Sequence, residues 1–485
     1  MKHRLTVVLL LSILAINLHA QGDSELRYFR GGKYESTVSF SNALFYGIGS
    51  RVGGMGGDYG GLVRGSESLL WNPANLASIR RSELTLDFKP RVLLDAASFV
   101  DIDAEVRSAV DDGIEDSKGP NFTMSDGDYP DVGVRFGEKG SFGTGSFAFR
   151  GSGFTVAGAL HQPFSLSFDL LGSGFEVQMV TIDEEDPTKE VTFFSSVDMN
   201  VHARLRIQGA SVGVGKMLTP KWSVGLAVDR LSGVAETRAR FQVEGIMVVA
   251  GNERAFNDPN DPWQNNLHSS IFGKYKGNST ALRLGTTYQL GRNWGVGAAL
   301  VYYQPLKLSG NLDERKYSLE GLNLDAEADE DLLDITEIDL DEPTRTVMEE
   351  PATAELLEIK FPNSLGVGIS GKAGFLGLAL NYTHYLGEWS YRFDVLDDGK
   401  LEVNTKGLSM EYAIRLGFDF NILQLGAGFA TGTIIDEGGD SHGKAAFVPM
   451  LSLGTGFRVN KSISADVLIL GIPSGVGKVT LHYNL

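Results

Sequence analysis

Residues 51–79 read RVGGMGGDYGGLVRGSESLLWNPANLASI, and this stretch decides how the rest of the chain is to be understood. Its glycines at 53, 54, 56, 57, 60 and 61 let the backbone turn tightly or lie flat against another surface, since glycine accepts positive φ without steric cost. Pro73 fixes its own φ and moves Asn72 out of the helical region. Apolar residues at 62, 63, 69, 70, 71, 74 and 76 suit a short buried helix or coil. The stretch is a plug of irregular backbone, not a strand. Irregular backbone stays away from water only when something encloses it.

Toward the N-terminus, residues 23–50 are mixed and weakly patterned, with Phe40, Leu44, Phe45, Tyr46 and Ile48 leading into the plug. Lys2 and Arg4 precede an apolar run over 5–18, followed by His19-Ala20-Gln21. A charged start, an apolar core and a small residue at the cleavage point describe a secretory signal peptide over 1–20. The run is shorter than the roughly 20 residues a transmembrane helix needs. No other apolar segment reaches spanning length, so a membrane-embedded mature chain has to be a closed barrel.

Toward the C-terminus the pattern turns to alternation at Glu83 and keeps it to the end. Leu84, Leu86 and Phe88 open the first strand, and the last one alternates as Val479-Thr480-Leu481-His482-Tyr483-Asn484-Leu485. Short turns at 151–153, 218–221, 291–293, 371–374, 421–422 and 460–461 alternate with long loops near 101–130, 244–268, 310–358 and 434–444. The count is about 14 strands, an even number, and short turns on one side with long loops on the other are what bacterial outer-membrane barrels show. Val296, Ala298, Leu300 and Tyr302 alternate with the small Gly295, Gly297 and Ala299, as Val212 and Val214 do with Gly213 and Gly215. The expected fold is all-β: a transmembrane antiparallel β-barrel over 83–485, with residues 21–82 as an N-terminal hatch plugging its lumen.

Composition agrees. The formal charge of -18 excludes a nucleic-acid partner, because phosphates reward clustered Lys and Arg. A hydrophobic content of 42% is too high for a disordered chain. With no cysteine, disulfides and thiolate metal sites are unavailable. Sixty glycines suit many strands and tight turns.

The order Gly53-Gly54-Met55-Gly56-Gly57, then Leu70-Trp71-Asn72-Pro73-Ala74-Asn75-Leu76, resembles the N-terminal hatch of FadL-type hydrophobic-compound transporters. Later landmarks fall in that family's order: Tyr288-Gln289-Leu290, Trp294-Gly295-Val296-Gly297, Tyr302-Tyr303-Gln304-Pro305, Phe361-Pro362-Asn363-Ser364-Leu365-Gly366, Asn381-Tyr382-Thr383 and Arg415-Leu416-Gly417-Phe418. The C-terminal strand resembles the signal read by the outer-membrane assembly machinery, although Leu485 stands where the family ends in an aromatic.

The resemblance implies passive uptake of long-chain fatty acids or other hydrophobic compounds across the bacterial outer membrane, among membrane lipid and lipopolysaccharide. In the family, ligand leaves sideways beside a kinked third strand. Here the third strand carries His161-Gln162-Pro163-Phe164. Proline cannot donate to a ladder and belongs at edges or bulges. Pro163 is therefore the candidate kink and lateral exit. Asn72, Pro73 and Ala74 form the hatch motif, the Asn72 amide tying plug to wall. Residues that line a pocket cannot be named from sequence, since the strand register is not fixed.

Nothing nominates an enzyme, a cofactor or a metal. The 53–61 glycines lack the G-x-G-x-x-G spacing, and Gly471 to Lys478 has one residue too many for a phosphate loop. The histidines at 161, 202, 268, 384, 442 and 482 form no i,i+4 pair. The acidic run 325–342 reads as a solvated outer loop, with divalent-cation binding as the sharper alternative. A second functional class on the same architecture is a PorV-like outer-membrane partner of a secretion or surface-attachment system. A continuous apolar lumen would favour transport; a filled one would favour the partner.

Overall fold

A strand turns successive side chains to opposite faces, so the alternation after Glu83 becomes the two faces of one sheet. A computed structural model describes residues 24–42, 49–90, 92–95, 101–114, 118–119, 122, 124, 127–138, 141–182, 190–249, 252–256, 267–319, 345–397, 400–436, 445–472 and 477–485. The signal peptide expected over 1–20 and the acidic run 325–342 lie outside them.

Fourteen antiparallel strands close into a barrel. In chain order they occupy 83–89 with 92–95, 131–138 with 141–150, 154–182, 190–219, 222–249, 267–289, 294–319, 345–373, 376–397, 400–419, 423–436, 445–458, 463–472 and 478–484. The seventh is interrupted at Gln304-Pro305 and the eighth at Phe361-Pro362, where proline has no N–H for the ladder. The last strand pairs with the first, Val479 opposite Phe88 and Tyr483 opposite Leu84. Short connections at 151–153, 220–221, 290–293, 374–375, 420–422 and 459–462 mark the periplasmic end. The third, fourth and fifth strands have 29, 30 and 28 residues, whereas about 10 cross a bilayer, so they extend past it on the outer side.

The two faces differ as the alternation requires. Leu160, Val212, Val228, Leu284, Leu300, Tyr302 and Leu380 are exposed on the outer face. A water-soluble protein does not leave such a belt bare, and a barrel spanning a bilayer must. The chain is an outer-membrane barrel. Inward positions carry small residues where the hatch presses closest. A Cβ on Gly225 would lie 2.2 Å from the Pro73 carbonyl carbon, and one on Gly297 would lie 1.9 Å from the Tyr59 oxygen.

The structure departs from the sequence reading at the N-terminus. Residues 21–82 were expected to fill the lumen as one hatch, but Ser24–Arg30 and Lys33–Asn42 are strands of the wall. Lys33–Asn42 runs antiparallel to the third barrel strand, Asn42 opposite Phe164, and parallel to the second, Lys33 opposite Asp131. Ser24–Arg30 continues along the third strand as far as Thr181. Below this wedge, the second and third strands pair directly, from Arg150 with Thr155 to Gly145 with Leu160. The weak alternation of Tyr34, Ser36 and Val38 is a strand signal only once two neighbouring ladders are available to it.

The lumen is filled in tiers. Outermost, the helix Ile102–Ile114 turns Ile102, Val106, Val110 and Ile114 inward at four-residue spacing, against Leu26, Phe29, Phe175, Met179, Phe193 and Met199. Next comes a second apolar cluster containing Phe164, Ile207, Leu231, Leu306, Leu308, Leu357 and Ile359. The hatch lies beneath.

Candidate functional site

The hatch backbone is short helical pieces, Ser50–Gly54, Ser68–Trp71 and the 3-10 turn Pro73–Ser78. Asn72 sits between the last two in an extended conformation, and its Oδ1 accepts from the Ala74 N–H at 3.1 Å, with Pro73 opening the turn. The side-chain nitrogen of Asn72, fully buried, donates to the Tyr59 carbonyl at 2.8 Å, the Thr286 carbonyl at 3.1 Å and the Thr287 hydroxyl at 3.0 Å. One amide thus joins two parts of the hatch to the sixth barrel strand.

Comparable ties run round the barrel. Asn381 on the ninth strand accepts from the Tyr59 N–H at 3.1 Å and donates to the Gly57 carbonyl at 3.0 Å. Ser370 on the eighth donates to Asp58 at 2.7 Å. Arg51 pairs with Asp419 on the tenth at 2.7 Å, and Ser50 meets Thr480 on the last at 2.6 Å. Ser66 meets Thr85 on the first and Ser146 on the second, and its N–H donates to the Glu83 carboxylate. Burial pushes the Asp58 carboxyl up, against the bonds it accepts from Ser370, Val63 and Gly61. Burial also pushes up Glu67, which the imidazole of His482 opposes, and Glu67 Oε2 has no hydrogen-bond partner. Each such bond contributes about 1 kcal/mol net, so the ring as a whole holds the hatch in place.

Between the hatch and the apolar tier lies a small chamber of about 60 Å³. Its floor is Tyr59, Leu70 and Trp71; its sides include His161, Pro163, Arg283, Tyr303, Tyr385 and Arg415. Arg283 donates to Asp229 at 2.8 Å, to the Leu70 carbonyl at 3.0 Å and to the Tyr303 hydroxyl at 3.1 Å. Its charge is matched. Arg415, only 3% exposed, donates to the Met450 sulfur at 3.2 Å and the Tyr385 hydroxyl at 3.3 Å, and lies 5.7 Å from the Trp71 ring centre. It has no carboxylate partner among the described residues. The chamber therefore carries one unmatched buried positive charge.

The chamber meets the wall at a bulge. His161 pairs with Gly209 and Phe164 with Ile207, so Gln162 and Pro163 face the single residue Gln208. Here the third strand exchanges its second-strand partner for the N-terminal strand. His161 shares a hydrogen bond with Ser211 at 2.9 Å.

Sequence reasoning placed Asn72, Pro73, Ala74 and Pro163 but did not single out Arg283, Asp229 or Tyr303. The signal was there to find. Arg283-Leu284-Gly285 and Arg415-Leu416-Gly417 repeat one triplet on two strands. In each, Leu faces outward, while Arg rims the chamber and Gly lies against the hatch, a Cβ on Gly285 falling 2.1 Å from Asn72 Oδ1 and one on Gly417 2.2 Å from the Met55 oxygen. An arginine alternating with lipid-facing leucines has to point into the lumen.

Fold and site together define a plugged fourteen-stranded outer-membrane barrel with apolar tiers above two buried arginines, one of them paired with Asp229. No protein-family model matches the chain, and no curated protein does. Among solved structures it is similar to the toluene transporter TbuX of Ralstonia pickettii, at 13% identity and a TM-score of 0.44, over 91% of this chain and 99% of that one. It is also similar to the toluene transporter TodX of P. putida, at 15% identity and 0.45, over 91% and 99%. A Pseudomonas aeruginosa FadL homologue gives 11% identity and 0.45, over 90% and 99%.

Proposed function

We propose that the protein is an outer-membrane channel for hydrophobic acids, compounds with a long apolar body and one carboxylate, such as long-chain fatty acids. The observation that carries this reading is Arg415. A buried cation without a counter-charge costs several kcal/mol, and the carboxylate of an incoming amphiphile would relieve that cost. The two apolar tiers above the chamber suit the tail, whereas water-filled porins line their lumen with polar groups. An apolar solute gains nothing from an aqueous pore.

The exit belongs beside Pro163. The hatch is tied to strands all round the barrel, so leaving through it would break many bonds at once. The bulge is next to the chamber, and there the wall is held by the N-terminal strand, not by a second-strand ladder. A space of 60 Å³ is far below the roughly 300 Å³ of a ligand pocket, so passage requires that wall to part. The Asn72, Pro73 and Ala74 motif serves as anchor for the hatch, not as a ligand contact.

The same closed lumen favours a second reading, a PorV-like partner that holds secreted proteins at the outer surface. Uptake decides between them. Cells lacking their own transporter would be given this protein or Arg415→Met, with display of the folded barrel confirmed, and offered radiolabelled fatty acid or a neutral hydrocarbon. The channel reading expects saturable fatty-acid uptake that Arg415→Met lowers at least tenfold, with the hydrocarbon unaffected. No protein-dependent uptake of either compound leaves the partner role, to be pursued by pull-down of outer-membrane partners.

A further inference from the structure

At the periplasmic mouth, below the hatch, lies a second cavity of about 600 Å³. Its charged lining is Arg64 and Arg80 from the hatch, Arg292 from a barrel turn, and Lys372 and Arg458 from the periplasmic ends of the eighth and twelfth strands. No carboxylate lines it, and none of the five makes an ion pair among the described residues. This is unexpected in a chain of net charge -18, whose acids outnumber its bases 61 to 43. Random placement of these charges would make acids the majority in such a lining.

The cavity is built on fixed backbone. The Lys372 N–H donates to the Asn293 carbonyl at 3.0 Å, locking two periplasmic turns together. The Leu62 N–H donates to the Ser370 hydroxyl at 3.1 Å, holding the hatch side. Arg458 precedes the turn between the twelfth and thirteenth strands, on the far side of the mouth from Arg292 between the sixth and seventh. Gln289 and Asn293 add uncharged polar groups, and Leu62 is the one large apolar side chain in the lining. Five exposed like charges round one space give it a positive potential that favours an anion among them. Guanidinium groups present paired N–H donors that match the oxygens of phosphate and carboxylate.

We propose that this vestibule binds a multivalent oxyanion, a ligand carrying two or more phosphate or carboxylate groups. With Leu62 as the one large apolar side chain, the lining offers little to hold an acyl chain, which points to a water-soluble ligand. Because the ligand would touch hatch and barrel turns together, its binding clamps the hatch from the periplasmic side. The site is separate from the chamber and does not depend on what the channel carries.

Calorimetry on the full-length protein in detergent, titrated with inorganic tripolyphosphate at fixed ionic strength, tests this. Saturable binding of one anion per chain is expected, weakened at least tenfold by Arg292→Gln with Lys372→Gln and likewise by Arg64→Gln with Arg80→Gln. Lys221→Gln, on a periplasmic turn outside the cavity, leaves it unchanged. Thermal midpoints of all variants establish that they are folded; if one pair fails to fold, the other pair and Arg458→Gln carry the test. Repeating the titration in bilayer discs with and without anionic phospholipid separates the sources. Competition by that lipid makes a headgroup the occupant, and its absence makes the ligand soluble. No binding in either setting, or equal binding by the cavity variants and Lys221→Gln, overturns the proposal.

Discussion

The Asn72 amide nitrogen lies 3.0 Å from the Thr287 hydroxyl, which in turn donates to Asn75 Oδ1 at 2.7 Å, so one threonine of the wall is held by two asparagines of the hatch. Asn72→Ala removes the donor to the Thr287 hydroxyl and the Thr286 carbonyl and leaves the Tyr59 carbonyl only the longer 3.4 Å bond from Asn75, in a site closed to water. Leaving such groups unpaired costs about 1–3 kcal/mol. The urea midpoint of the barrel in detergent is expected to fall accordingly, with hatch residues opened to protease before the wall. An unaltered midpoint and cleavage pattern would remove Asn72 from the anchor role.

Gly225 and Gly291 form a matched pair of probes. A Cβ on Gly225 strikes the backbone of Pro73 and Ala74 at 2.2–2.4 Å, while one on Gly291 meets nothing within 4 Å. Gly225→Ala is expected to displace the hatch, lower the thermal midpoint and admit hydrophilic antibiotics excluded by the native barrel. Gly291→Ala is expected to behave as wild type. Equal antibiotic sensitivity in the two variants would show that the hatch does not depend on this close approach.

Glu67 sets a pH dependence of known sign. Burial raises its carboxyl above the ordinary value of 4.5, so the folded protein holds this proton where the unfolded chain has released it. Its contribution is intact below that ordinary value and is lost as pH rises through the folded pKa. Glu67→Gln, which cannot ionise, is expected to match wild type at pH 4 and to exceed its thermal midpoint increasingly toward pH 8. Asp58 is shifted the same way and remains in both proteins, so it cancels, and the difference between the two curves belongs to Glu67 together with the charged groups it faces, His482 and Glu83. Parallel curves would refute the assignment.

Ser39 lies opposite Ser167 where the N-terminal strand pairs with the third barrel strand, just above Pro163. Opposed residues in an antiparallel pair have Cα atoms about 4.5–5.5 Å apart, within the range a disulfide bridges. With no native cysteine, Ser39→Cys with Ser167→Cys can form only this bond within one chain. Oxidation is expected to abolish fatty-acid uptake and reduction to restore it, if the exit opens by parting this ladder. Undiminished uptake by the fully oxidised protein would place the exit elsewhere. Pro163→Ala complements this test: with folding intact, uptake is expected to fall.

Much of the architecture was legible because it depends on local regularities. Period-two alternation, the segregation of short turns from long loops, and glycines opposite lipid-facing Val and Leu determine a closed barrel of about 14 strands round a plug. The Asn72-Pro73 pair marks the turn inside that plug, and Pro163 marks the bulge, because proline's missing N–H acts wherever the chain takes it. Tertiary structure decided the rest. That Ser24 to Asn42 enters the wall depends on ladders offered by strands about a hundred residues away or more. That Arg283 finds Asp229 while Arg415 finds no acid among the described residues depends on barrel register, where a slip of one residue would turn both arginines toward lipid. Which cations share the periplasmic mouth follows from closure alone, since pairing the last strand with the first brings distant turns to one rim.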